Sequence, residues 1–88
     1  MLQGKYIVLN FNGIADMIIF SGLQQHADVR NQFSDRPLLS AGHIRYSKDG
    51  PICYGESISL KVSANEECDT EIARRLFNLD YDYKKINA

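Results

Sequence analysis

Apolar and polar residues alternate in several short runs, and these runs predict the strands of the protein. The first run extends from Lys5 to Phe11 and is followed at once by Asn12-Gly13. Both turn residues tolerate the positive φ that a type I′ turn requires, so the dipeptide predicts a tight β-hairpin. The returning strand is expected at residues 14–21. Within it, Asp16 does not fit the pattern if its side chain faces inward.

The clearest pattern covers residues 38–62, where the polar loop 47–51 separates two extended runs and predicts a second antiparallel hairpin. Alternation on the second arm places on one face Ile52, Tyr54, Glu56, Ile58, Leu60 and Val62. The opposite face then carries Cys53, Gly55, Ser57, Ser59 and Lys61. On the first arm, Ile44 and Tyr46 lie opposite to Ala41, His43 and Arg45. We expect Ile52, Tyr54, Ile58 and Leu60 to be sheltered beneath a C-terminal helix.

Helical spacing occurs in two segments. Residues 23–33 are compatible with a short helix that ends before Pro37, because the residue preceding a proline is pushed out of the α region. Ser63 and Glu66 have the spacing of a capping box, in which each side chain satisfies a backbone N–H of the first helical turn. The apolar residues that follow repeat at three and four positions and predict an amphipathic helix: Cys68, Ile72, Leu76 and Leu79. Residues 80–88 show no clear period and are expected to be frayed or to lie along a sheet edge.

The order β-β-(α)-β-β-α predicts an α+β fold, an antiparallel sheet of about four strands in two hairpins with the amphipathic helix and a short middle helix on one face. The 88 residues are expected to form a single domain, 1–88. A chain of this length has a thin core, so a second copy would add useful burial.

Charge and composition narrow the classes of function. Ten Lys and Arg balance eleven Asp and Glu, which leaves no positive field to hold a phosphate backbone and argues against nucleic-acid binding. The longest apolar run, around residues 17–20, is far shorter than the ~20 residues of a membrane span. The N-terminus lacks the pattern of a signal peptide, so a cytoplasmic location is expected. Cys53 and Cys68 show no disulfide or metal spacing and are interpreted as reduced thiols, with no cofactor expected.

Candidate chemistry concentrates on the second hairpin. One predicted face carries His43, Arg45, Ser57 and Ser59. An imidazole beside a hydroxyl could act as a general base for a nucleophile, yet no orienting carboxylate or Gly-framed nucleophile turn accompanies the set. A solvated face or an interaction surface is therefore favoured over catalysis.

Three further features have both a structural and a functional interpretation. Glu56 falls on the predicted apolar face, where it would need a partner such as Arg74, Arg75 or His26, or could contact a ligand. His26 could join a metal site only if the fold brings it to His43 or Glu56. The basic-aromatic stretch 45–48 could contact single strands, but the charge balance favours an ordinary hairpin.

Several stretches together resemble a group of small uncharacterised proteins encoded in bacterial and phage or prophage genomes. They are Ile19-Phe20-Ser21, His26-Ala27-Asp28-Val29, Leu39-Ser40-Ala41-Gly42 and Tyr54-Gly55-Glu56-Ser57-Ile58-Ser59-Leu60. The resemblance runs from Asp16 to Phe77 and implies a phage-associated or accessory role. It brings no activity, cofactor or catalytic residue with it.

The leading hypothesis is a non-enzymatic interaction or accessory protein that self-associates, or binds another protein, through a sheet face or edge. The alternative is a small enzyme that uses His43 with Ser57 or Glu56. Because alternation places Glu56 opposite to His43, their pairing would need a bulge or a subunit interface.

Overall fold

The computed structural model describes the backbone of residues 2–87 and the side chains of residues 3–77. Its elements are β1 (Leu2–Phe11), β2 (Ile14–Phe20), α1 (His26–Asn31), β3 (Leu38–Ser47), β4 (Gly50–Tyr54), β5 (Glu56–Ser57), β6 (Val62–Ser63) and α2 (Glu66–Asn87). The four longer strands form an antiparallel sheet in the order β2-β1-β3-β4, and β5 pairs with β6 in a separate small sheet. The predicted α+β class, with a four-stranded antiparallel sheet and a C-terminal helix, is confirmed.

The first hairpin forms as its turn sequence predicts. Asn12 and Gly13 have φ values of 56° and 92°, and the pairing of β1 with β2 begins directly beside them. Asp16 is exposed, and its carboxylate accepts the backbone N–H of Met17 at 2.9 Å. The Asp16 side chain therefore faces solvent and accepts a hydrogen bond from the backbone of its own strand.

The second hairpin is also present, but its turn is tighter than the predicted loop. Ser47 pairs with Gly50, so Lys48 and Asp49 alone connect β3 to β4. Gly50 has φ of 108°, a conformation that costs a residue without Cβ little. This turn fixes the register of the hairpin, with His43 opposite Tyr54.

The predicted second arm, from residue 52 to residue 62, is wrong beyond Tyr54. Gly55 has φ of 78°, which turns the backbone out of the strand. The chain then makes the short β5–β6 hairpin, whose turn includes Lys61 at φ of 56°. One continuous alternation therefore cannot describe residues 52–62.

The face beneath α2 also differs from the prediction. Ala73 of the helix packs in a buried cluster with residues of the sheet: Tyr6, Val8, Met17, Ile44 and Cys53. Cys53 is opposite Ile44 across the β3–β4 ladder, and residues opposite each other share a face. Ile52 and Tyr54 therefore face away from α2 and are half-buried, while Ile58 is 84% exposed. The expectation that Ile52, Tyr54, Ile58 and Leu60 lie beneath the terminal helix is wrong.

The two helices cover opposite faces of the sheet rather than one face. On the side away from α2, a second cluster contains Ile7, Leu9, Val29 and Ala41, with Leu60 and Val62 packed against it. Strand β1 explains this arrangement, since consecutive residues from Tyr6 to Leu9 are apolar and at most 1% exposed. A strand that is apolar on both faces needs cover on both.

The start of α2 is held by a residue that the predicted capping box did not include. Ser63 lies in β6, and the N–H of Asn65 donates to the carboxylate of Asp69 at 2.9 Å. The predicted helix start near Glu66 is correct, whereas the Ser63–Glu66 box is wrong because Ser63 is part of a strand. The helix runs to Asn87, and the side chains beyond residue 77 lie outside the described residues, so the frayed end at 80–88 stays a prediction.

Over the part of the chain that the structure describes, neither helix combines the length and the apolar character that a membrane crossing requires. The radius of gyration of the Cα atoms is 13.3 Å, close to the ~13 Å expected for a folded domain of about 100 residues.

Candidate functional site

A row of planar side chains crosses the α1 side of the sheet from β2 to β4. His26 makes edge contacts with Phe20 and His43, at centroid distances of 5.5 and 5.6 Å. His43 in turn stacks on Tyr54 at 5.8 Å with an interplanar angle of 29°. The guanidinium of Arg45 lies 5.8 Å from the centre of the Tyr54 ring. We call these five residues the aromatic row.

The strand register produces the aromatic row. Lys5 is opposite both Phe20 and His43, and His43 is opposite Tyr54, so one line of partners crosses all four strands. Gly55 completes the packing, because a Cβ at this position would lie 3.1 Å from Cδ2 of His43. The backbone after β4 can therefore pass directly over the imidazole.

His26 is the buried member of the aromatic row. Only 4% of the residue is exposed, and its Nε2 lies 2.7 Å from the carbonyl oxygen of Gly42. Since a carbonyl can only accept, Nε2 carries the proton and donates it. Burial lowers the pKa of His26, which favours the neutral ring. The imidazole thus anchors α1 to β3 as a neutral hydrogen-bond donor.

A small cavity of about 160 Å³ opens beside the aromatic row. Its walls come from Lys5, Gln25, His26, His43, Glu56, Ile58 and Ser59. The cavity brings His43 and Glu56 to the same surface, so their predicted placement on opposite faces is wrong, because the backbone turns at Gly55. Within residues 3–77 no hydrogen bond or ion pair joins His43 to Glu56 or Ser59. The arrangement is a surface of mixed chemistry rather than an assembled catalytic pair.

Ser57, the other candidate serine, is buried and stabilises a turn. Ser57 is 2% exposed, and its Oγ accepts the N–H of Leu60 at 3.2 Å and lies 3.4 Å from Oγ of Ser59. This hydroxyl holds the β5–β6 turn, and Ser57 is not among the residues that line the cavity beside His43. The predicted set of His43, Arg45, Ser57 and Ser59 therefore loses Ser57. Glu56 is exposed and needs no buried partner.

Sequence reasoning missed two residues near this surface. Alternation predicts Tyr54 in the core, but the tight turn at Lys48 and Asp49 pairs it with His43. Ile58 is also predicted in the core, yet it is 84% exposed and lines the cavity beside His43. Both predictions depend on one continuous strand from residue 52 to residue 62, so no sequence signal distinguishes these residues from core residues.

A second polar group lies buried between the sheet and α2. Asp69 is 2% exposed and accepts hydrogen bonds from the Tyr6 hydroxyl and, at 2.8 Å, from the Ser40 hydroxyl. With the Asn65 N–H, three donors surround this carboxylate. Burial, followed by the hydrogen bond to Asp69, raises the pKa of Tyr6 far above its usual range. The group fastens α2 to β1 and β3.

Both cysteines are free thiols. Cys53 is buried, and burial raises its pKa to about 11, whereas Cys68 is exposed on α2. Among the residues that the structure describes, no group of three His, Cys, Asp or Glu side chains could hold a metal ion.

The β4 edge of the main sheet has its outward donors engaged or missing, and β2 has one outward donor engaged. On β2 the N–H of Met17 donates to the Asp16 carboxylate. On β4, Pro51 has no N–H, and the N–H of Cys53 donates to the Thr70 hydroxyl at 3.0 Å. Occupied donors and edge prolines oppose the addition of another strand.

Comparisons with models of protein families, with curated proteins and with solved structures give no match to this chain.

Proposed function

We propose that the protein is a small non-enzymatic interaction module that self-associates through one end of its sheet. The surface, called the open face here, consists of His43, Arg45, Tyr54, Glu56 and Ile58. The observation that carries the proposal is that Arg45, Glu56 and Ile58 are exposed beside the half-buried His43 and Tyr54, whereas α1 and the β5–β6 hairpin cover Ile7, Leu9 and Ala41 on the same sheet face.

The chemistry of the open face is that of a protein interface. Tyrosine and arginine are the residues that most often supply the binding energy at such interfaces, and here Arg45 lies over the Tyr54 ring. Ile58 adds an apolar side chain that is 84% exposed. Packing against His43 holds the Tyr54 ring in place, so little conformational entropy is lost on binding.

The β4 edge offers a poorer route to association than a sheet face. Pro51 and Thr70 leave β4 without a free outward donor at residues 51 and 53, and Asp16 engages one outward N–H of β2, that of Met17. These features favour a face over the β4 edge as the contact surface. The thin core of a chain of 88 residues gives a second copy a stabilising role as well.

Sedimentation velocity over a range of micromolar concentrations tests the proposal. We expect the wild-type protein to form dimers or larger species and the variant Ile58→Asp to dissociate, with dimerisation weakened about tenfold or more because a charge is placed in an apolar contact. Ile14→Asp is the matched control, since Ile14 is 69% exposed beside the first turn and away from the open face. A wild-type protein that stays monomeric throughout would contradict self-association.

The second candidate is a small enzyme that uses His43 with Glu56. It is favoured by one observation, namely that both side chains line the same cavity. Ser57 gives this candidate less support than Glu56 does, because the serine is 2% exposed and its hydroxyl accepts the N–H of Leu60. NMR titration of His43 and Glu56 tests this candidate, because a working acid–base pair requires a mutual perturbation of the two pKa values. Independent titration of the two groups would dismiss it.

The cellular location and the biological role of the protein stay predictions. A cytoplasmic location agrees with the absence of a membrane-spanning helix from the described residues. The phage-associated or accessory role comes from the resemblance noted in the sequence, and a pull-down from a native host would identify any further partner.

A further inference from the structure

We propose that the cavity beside the aromatic row binds a small zwitterion, a molecule of the amino-acid class that carries one ammonium group and one carboxylate. The inference goes beyond self-association, because all the walls of the cavity come from a single copy of the chain.

Two opposite charges line the cavity without pairing. Lys5 of β1 and Glu56 of β5 both belong to its walls. Among the side chains of residues 3–77, no ion pair joins this ammonium to this carboxylate. A molecule with one charge of each sign can therefore lie between them and satisfy both.

The Lys5 ammonium is held in place before any ligand binds. It donates a hydrogen bond to the carbonyl oxygen of Gln24 at 2.9 Å, and the side chain is half-buried. An ammonium has three protons, so two donors remain for the carboxylate of a ligand. Because the side chain is already ordered, binding costs less conformational entropy than it would at a mobile lysine.

His26 contributes a buried acceptor. Its Nε2 donates to the carbonyl oxygen of Gly42, so Nδ1 of the neutral ring carries a lone pair. Within residues 3–77 this Nδ1 has no hydrogen-bond partner, although only 4% of the residue is exposed. No described side-chain nitrogen is both unpaired and sealed from solvent, so Nδ1 borders open space. The cavity is the open space that His26 lines, and an ammonium group is the donor that this lone pair can accept.

The charges also set the orientation and the size of the ligand. The carboxylate of the ligand faces Lys5, and its ammonium faces Glu56 and Nδ1 of His26. A ligand with a single charge meets one wall residue of like charge, and such repulsion disfavours it. The volume of about 160 Å³ is below the ~300 Å³ at which pockets for drug-sized ligands begin, so the ligand is a small metabolite.

A titration followed by ¹H–¹⁵N correlation NMR tests the proposal. The probes are glycine, β-alanine and 4-aminobutyrate, which place the two charges progressively further apart, and acetate and ethylammonium serve as controls with one charge each. We expect at least one zwitterion to shift the amide signals of Lys5, His26 and Glu56 with a dissociation constant of about 1 mM. Acetate and ethylammonium should bind at least about tenfold more weakly, because each leaves one wall charge without a partner.

Variants of the two charged walls complete the test. Glu56→Gln and Lys5→Met should each weaken the binding of the zwitterion about tenfold, because a charge-assisted contact is lost. Glu66→Gln and Lys48→Met are the matched controls, since both residues are exposed and neither lines the cavity, and they should bind as wild type does. Glu56 is itself exposed, so Glu56→Gln keeps the test if Lys5→Met does not fold.

Three results would overturn the zwitterion site. They are the absence of a shift with all three zwitterions at up to about 20 mM, equally tight binding of acetate or ethylammonium, and unchanged binding in Glu56→Gln. Sedimentation of the same samples keeps the two proposals apart, since a protein that binds a zwitterion but stays monomeric contradicts self-association alone.

Discussion

Gly42 shows how closely β3 is packed against its surroundings. A Cβ at this position would lie 2.6 Å from the carbonyl oxygen of Tyr54 and 3.1 Å from Cβ of Ala64. Because the nearest atom is backbone, the strand itself would have to move. We expect Gly42→Ala to lower the free energy of unfolding by about 1–3 kcal/mol, measured by urea denaturation. Gly22→Ala is the control, since nothing lies within 4 Å of its added Cβ, and an equal loss in both variants would contradict this explanation.

His26 links the stability of the fold to pH. Its pKa in the folded protein lies below the ordinary value of 6.5, mainly because burial disfavours the charged ring. The unfolded chain therefore binds more protons as the pH falls through 6.5, and the free energy of unfolding decreases in that range. Above 6.5 both states are neutral at this residue, and its contribution is constant.

The variant His26→Gln tests this linkage. We expect it to be less stable than wild type at neutral pH, because the packing between Phe20 and His43 is lost. Its unfolding free energy should depend less on pH between about 7.5 and about 5, where an ordinary histidine titrates. Urea unfolding of both proteins at several pH values measures the two slopes. Equal slopes would show that His26 is not the group responsible.

At the scale of elements, the Asp69 carboxylate joins α2 to two strands. Tyr6→Phe removes the hydroxyl donor and leaves the Ser40 hydroxyl and the Asn65 N–H in place. We expect a loss of about 1.5–3 kcal/mol in unfolding free energy, the usual range for a hydrogen bond to a charged group. Tyr46→Phe, at a ring that is 42% exposed and packs on Phe77, should change stability by less than about 0.5 kcal/mol. Similar losses in the two variants, measured by urea denaturation, would argue against the Asp69 anchor.

The elements that the sequence predicts well are those that depend on local chemistry. Asn12 and Gly13 adopt positive φ wherever a tight turn joins two strands, so the first hairpin follows from a dipeptide and its flanks. The second arm of the other hairpin was predicted wrongly because alternation gives two faces but not the one that a helix covers. Cys53 lies under α2 since it is paired with Ile44, a contact between distant parts of the chain.

The sequence predicts only part of the candidate site, because alternation along a strand is a local signal and the remaining contacts depend on turns. His43 and Arg45 have the same parity on one strand, so their shared face follows from alternation. The approach of Glu56 depends on the φ of Gly55, and the position of Tyr54 depends on the tight turn after Ser47. Neither can be obtained from hydrophobic periodicity, because a glycine permits a turn without requiring one.

At the scale of the whole molecule, the two thiols report on global unfolding. Cys53 is 1% exposed within the cluster beneath α2, and its pKa of about 11 keeps it protonated at neutral pH. Cys68 is exposed on the helix surface. We expect iodoacetamide to modify Cys68 in the native protein and Cys53 only when the protein unfolds, as intact-mass spectrometry with and without urea can show. In Cys68→Ser, native protein should remain unmodified, and rapid modification of that variant would mean that Cys53 is accessible.

The contact between Thr70 and β4 has a consequence for the edge of the main sheet. Pro51 has no N–H, and the N–H of Cys53 donates to the Thr70 hydroxyl of α2. A foreign strand laid against β4 would therefore find no free donor at either position, and its pairing there would be weak. The hydrogen bond that ties the helix to the sheet thus also protects this edge against aggregation by strand addition.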